Sequence, residues 1–281
     1  SNTLTVTNGT FDTKSYNVTA GSLSSNNSNV RTITLGSSTI TLASSVPVTF
    51  TTSTNLTLNS GSSQITSTFA GNVIFNGQVL TFYNVSFTGT TAASISILGV
   101  NTFNNLTFTA PAAAGYMLCT FSANQTITGT LTVAGATAVR RIFVQSDTSG
   151  TARTLTVGTL SATDCDFRDI TIAGAAAGSS PTRAGDCGGN SGITFPAAKT
   201  VYWNLAGTQN WSATAWCSSS GGTPDINNFP LPQDTAVFDN TGAAGTISFQ
   251  SWNIGTFDSS ALTTAATFTT GANAPVVYGN W

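Results

Sequence analysis

The chain has 281 residues and a formal charge of −2, and only 6% of its residues are Asp, Glu, Lys or Arg, against about 25% in an ordinary soluble domain. Two Lys and six Arg are too few for a face that neutralises a run of phosphates, which excludes nucleic acid as an expected partner. The complete lack of His removes the usual general base, the imidazole metal ligand and the Ser-His-Asp arrangement together.

Thr occurs 52 times, Glu never and Met once, so good helix formers are scarce and β-branched residues dominate. Segments from the start of the chain onward, such as Leu4-Thr-Val-Thr7, Thr32-Ile-Thr-Leu35 and Asn55-Leu-Thr-Leu58, alternate apolar and hydroxyl residues. That period of two predicts strands, separated by turns rich in Gly, Ser and Asn. The phrase Thr81-Phe-Tyr-Asn-Val-Ser-Phe-Thr-Gly89 then returns 21 residues later as Thr102-Phe-Asn-Asn-Leu-Thr-Phe-Thr-Ala110. Self-similarity at that period favours an all-β, parallel β-helix or β-solenoid over a sandwich, with right-handed crossovers expected. Stacked coils place Val85 over Leu106 and Phe87 over Phe108, with Asn84 and Asn105 in an inward amide ladder. Uniform stacking at about 4.8 Å per coil predicts a thin rod on the order of 60 Å long. No stretch of 18 apolar residues is present, so no membrane insertion is expected.

Further along, Asp164-Cys-Asp-Phe-Arg-Asp169, with Asp186 about one coil later, is the sole acidic cluster. On a strand Asp164 and Asp166 share a face about 7 Å apart, within the carboxyl separation of inverting glycosidases, so a polysaccharide-degrading β-helix enzyme is one reading. Pairing with Arg153, Arg168 or Arg183 is the blander one and weighs more, and no catalytic residue is assigned. No cofactor is expected apart from a Ca²⁺ site built on Asp164, Asp166, Asp169 and Asp186. The four Cys, at 119, 165, 187 and 217, lack zinc spacing. Of three full pairings, Cys165 with Cys187 is favoured, being about one coil apart, and would imply an oxidising, extracellular location. Eight Asn-x-Ser/Thr sequons are close to what this composition supplies by chance.

Residues 181–281 hold all five Trp and six of the eight Pro. The expected organisation is a β-solenoid over 1–195, then either continuing β coils or a small β-domain with a large loop over 196–281. Trp203, Trp211 and Trp216 are candidate carbohydrate-stacking residues. The chain opens at Ser1 without Met, and Val276-Val-Tyr-Gly-Asn-Trp281 reads like the start of another coil, so a piece of a longer product is expected.

The phrases Thr102-Phe-Asn-Asn-Leu-Thr-Phe108 and Asp166-Phe-Arg-Asp-Ile-Thr-Ile172, with Val201-Tyr-Trp-Asn204, Asn210-Trp-Ser212 and Leu231-Pro-Gln-Asp234, resemble large Thr/Ser/Gly-rich structural proteins of environmental tailed phages and some bacterial surfaces. The resemblance implies a virion fibre or other appendage and brings no catalytic motif. The resulting expectation is a non-enzymatic extracellular structural or adhesive protein, a β-helical rod that assembles with itself as a homo-oligomer or filament. A cell-surface glycan is a further candidate partner. A bacterial adhesin or surface-layer module is the alternative.

Overall fold

The computed structural model describes residues 2–91, 93–242, 245–270 and 274–281. It is a parallel β-solenoid of about 12 turns, 47% strand and 2% helix, arranged as a long stack and a short one.

The long stack has up to three walls. Wall A is a nine-stranded sheet running from Thr3–Thr5 to Gly185–Asp186, and wall C has eight strands, from Val18–Ala20 to Ile170–Ala173. Wall B holds only Gly9–Asp12, Arg31–Thr34 and Leu56–Asn59. From the fourth coil on, each turn carries two strands and the wall C strand lengthens, to seven residues in Thr81–Phe87 and eleven in Arg153–Thr163.

Alternation decides the core. In Thr81–Phe87, Phe82, Val85 and Phe87 are buried, and because Phe82 and Val85 are three apart the strand must bend between them. The repeat is in register: Val85 pairs with Leu106 and Phe87 with Phe108, whose rings stack at 5.2 Å with 11° between planes. Asn84 and Asn105 do form a ladder, the Asn105 Nδ2 donating to Asn84 Oδ1 at 2.9 Å, but at the bend, where both are half-buried rather than inward. The ladder continues one rung on, where Asn105 Oδ1 accepts from the Thr130 backbone N–H at 2.7 Å. There Gln125–Ala134 carries one additional residue, a bulge seen as a register shift against both neighbouring strands.

Corners recur as stacked left-handed residues. Ser15, Gly36 and Gly61 have φ of 65°, 55° and 56°, and a Cβ on Gly61 would lie 2.3 Å from the Gly36 carbonyl oxygen, so backbone packs directly on backbone. Arg31, 1% exposed, ties the second and third coils together without a carboxylate. Its guanidinium donates to Ser25 Oγ at 2.6 Å and to the carbonyls of Asn29, Thr52 and Thr54. At the first coil the strand edges have no neighbour among the described residues, and Leu4, Phe11 and Val18 only partly cover the core.

The long stack ends around the pairing of Ser179 with Ile193, and the short stack opens at Thr200–Trp203. Three parallel coils follow, with Thr200–Trp203, Thr235–Val237 and Thr256–Asp258 paired along one wall and Gln209–Asn210, Gly245–Ser248 and Ala266–Thr269 along another. Asp234 fixes the turn before the second coil, accepting from the Leu231 N–H at 2.8 Å and the Lys199 N–H at 3.0 Å. Among the described residues, no strand of the short stack pairs with one of the long stack. It has its own core of Trp and Phe, which also takes in Tyr116 and Phe143 from wall A. The single thin rod of about 60 Å is therefore corrected: nine rungs at about 4.8 Å give roughly 43 Å, with the short stack packed on the outer face of wall A.

Candidate functional site at the junction of the stacks

The acidic cluster lies where the stacks meet. In Cys165–Arg168 the alternation sends Cys165 and Phe167 into the long-stack core and leaves Asp164, Asp166 and Arg168 on the outer face of wall A. Register aligns Phe143, Asp166 and Gly185 on successive rungs, and Gln145 with Arg168.

Each carboxylate there is already engaged. Asp164 takes a two-pronged bond from Arg183, Nε to Oδ1 and Nη2 to Oδ2, both at 2.6 Å. Asp166, 0% exposed, accepts from Arg141 Nη2 at 2.5 Å and Nε at 3.2 Å. It also accepts from the Tyr116 hydroxyl and, from the short stack, Asn253 Nδ2 at 3.3 Å. The remaining donors of Arg141 reach the carbonyls of Ala138, Cys165 and Arg183. Burial by itself would lower the Arg141 pKa, but the Asp166 carboxylate and Tyr116 outweigh it and the guanidinium is held more firmly charged than usual. Burial, and then the neighbouring Asp166 charge, push the Tyr116 hydroxyl well above its ordinary range, so it remains a donor. Both carboxylates thus spend their oxygens on protein donors, an arrangement that acts as a lock.

The four carboxylates proposed for Ca²⁺ do not converge. Asp169 accepts from the Gly150 N–H at 2.9 Å, and Asp186 from the Gly188 N–H and from Asn190 Nδ2 at 2.9 and 2.7 Å. Among the described residues no group of three or more His, Cys, Asp or Glu is placed to hold a metal ion.

The Cys165–Cys187 bridge is also corrected. Phe167 pairs with Asp186, which puts Cys187 beside Arg168 on the outer face while Cys165 points inward, so a wall of backbone separates them. All four cysteines are buried free thiols. Trp203, Trp211 and Trp216 are 1%, 0% and 0% exposed, so they cannot stack on a sugar. They interlock instead, Trp203 and Trp211 meeting Trp216 edge-on at 5.1 and 4.7 Å, as expected of aromatic pairs that dominate a small core.

Above the lock the stacks leave a cleft of about 660 Å³, lined among others by Ser94, Tyr116, Phe143, Arg168, Trp252 and Asn253. Trp252 meets Tyr116 edge-on at 5.0 Å, and the Arg168 guanidinium lies 5.6 Å over the Phe143 ring. Sequence reasoning missed Tyr116, Arg141 and Asn253. The available signal was Arg141 lying 25 residues, about one coil, before Asp166 in a chain with only six Arg.

Comparison of the chain with protein-family models, with curated proteins and with solved structures returns no match.

Proposed function

We propose that this chain is a non-enzymatic structural module, a stiff β-solenoid element of an extracellular appendage such as a phage fibre or surface filament. The observation that carries this reading is the lock: the chain's one acidic cluster is consumed in ion pairs and hydrogen bonds that hold wall A, with Asn253 of the short stack bonded to the same Asp166. A continuous parallel ladder supports stiffness, because each coil is bonded to the next along its walls. The low charge and hydroxyl-rich exterior suit a surface for adhesion.

Self-association belongs to the same proposal. Stacked parallel coils offer strand edges at the end of a stack, and wherever such an edge is left uncovered it invites another chain to stack. Electron microscopy of native material labelled with an antibody to residues 200–240 tests the assignment. Label on virions or filaments is the expected result, and label only on dispersed soluble protein rejects it. Light scattering tests assembly separately: mass rising with concentration is expected, and a monomer at every concentration removes the self-association.

A further inference from the structure

The outer face of wall C carries two regular files of polar side chains. Its central file runs in register from Thr19 through Thr41, Thr66, Ser86, Thr107 and Thr132 to Ser161. Two residues earlier on each strand a second file follows, from Thr39 through Gln64, Asn84, Asn105 and Thr130 to Thr159. Neither file holds a charge over these rungs, although an ordinary surface of this extent would. Bonds between rungs fix the groups, with Gln64 Nε2 donating to Ser86 Oγ at 3.1 Å and Ser86 Oγ to Thr66 Oγ1 at 3.3 Å. The contacts of the short stack fall on wall A, so this face stays clear.

The backbone sets the repeat of the array, about 4.8 Å between rungs and about 6.6 Å between files. A tetrahedral water lattice with O···O separations of about 2.8 Å places next-nearest oxygens about 4.5 Å apart and repeats along its layer axis at about 7.4 Å. The mismatch is about 0.3 Å per rung along the stack and about 0.8 Å between files, which one layer of bridging water can take up over two or three rungs at a time.

We propose that wall C binds ice, the files of hydroxyls and amides ordering water into register with the crystal. Three features favour an ice surface over a glycan or a protein. The files themselves hold no ring, although Tyr83, 36% exposed, flanks them beside Asn84; they also lack the central anchor and pocket of a protein interface and the charges that would hold water in a competing arrangement. The proposal is independent of the fibre reading and stands or falls on its own test.

The test uses the full chain, comparing the wild type with Thr107→Lys at the centre of wall C and with Thr57→Lys on the exposed outer face of wall B. Thermal hysteresis and the growth of ice grains during annealing are read, and circular dichroism checks that all three proteins fold. The expected result is hysteresis and arrested grain growth for the wild type and Thr57→Lys, and at least a tenfold loss for folded Thr107→Lys. A wild type without either effect overturns the proposal, as does folded Thr107→Lys with full activity. An equal loss in both variants overturns the assignment to wall C. If Thr107→Lys fails to fold, Thr132→Ser and Thr132→Val replace it; both keeping full activity also overturns it.

Discussion

Removing one partner of the Arg141–Asp166 pair tests whether the junction is a lock. Both side chains are 0% exposed, and Asp166→Asn would leave the Arg141 charge buried with only Asp164, at 3.8 Å, as a distant counter-ion. Breaking a buried pair from one side costs about 3–5 kcal/mol. The Tyr116 bond to the same carboxylate is worth about 1.5–3 kcal/mol because the acceptor is charged, and the Asn253 bond, long at 3.3 Å, is worth less, so their weakening keeps the loss near 5. Arg141→Met with Asp166→Leu should cost much less than the sum of the single changes, because no charge is stranded. Urea unfolding followed by Trp fluorescence reads this directly, since Trp252 packs on Tyr116 and every Trp lies in the short stack or beyond it. A loss below about 1 kcal/mol for Asp166→Asn, or additive single and double changes, would refute the lock.

Gly61→Ala combines a left-handed backbone with a Cβ 2.3 Å from the Gly36 oxygen. The backbone alone costs about 1–2 kcal/mol, and the melting temperature should fall, whereas Gly150→Ala, with open space at its Cβ, should pay only the backbone part. All four thiols should alkylate, without reductant, only after denaturation. Burial pushes the Cys119 and Cys187 thiols well above their ordinary range, and mass spectrometry finding a Cys165–Cys187 crosslink would contradict the structure. Burial also raises the Asp234 carboxyl above the usual value. The native state then binds that proton more tightly than the unfolded chain, so this group's contribution to stability is greatest at low pH and declines as pH rises through the raised pKa. Carboxyl NMR should show Asp234 titrating above Asp258, which bonds from Ser260 hold below the usual range; the reverse order would refute it.

What the sequence made legible is what depends on local period. The 21-residue return predicted register to the residue, because a one-residue slip would turn Val85 and Phe87 outward. Alternation likewise put Asp164 and Asp166 on one face, but it carries no information on what covers that face. Here the cover is Asn253, 87 residues after Asp166, and no repeat links the two. The same gap misplaced the tryptophans: clustered Trp on short strands is compatible with a sugar platform or a small core, and only the burial of Trp203, Trp211 and Trp216 separates them. Cys165 and Cys187 were spaced for adjacent rungs, yet the rung between them spans 19 residues rather than 22, as the pairing of Asp166 with Gly185 shows. Coil length varies along the chain, so parity cannot be carried across a corner.

The placement of the joint has a bearing on how such a chain could change over generations. The three-stranded coils near the start supply none of the residues named in the lock, and each meets its neighbours through the same hydroxyl-and-aliphatic pattern. Duplicating or deleting one of them would lengthen or shorten the stack by one step while leaving the Arg141–Asp166 junction in its setting. The number of coils and the setting of the Arg141–Asp166 junction are thus separately variable traits.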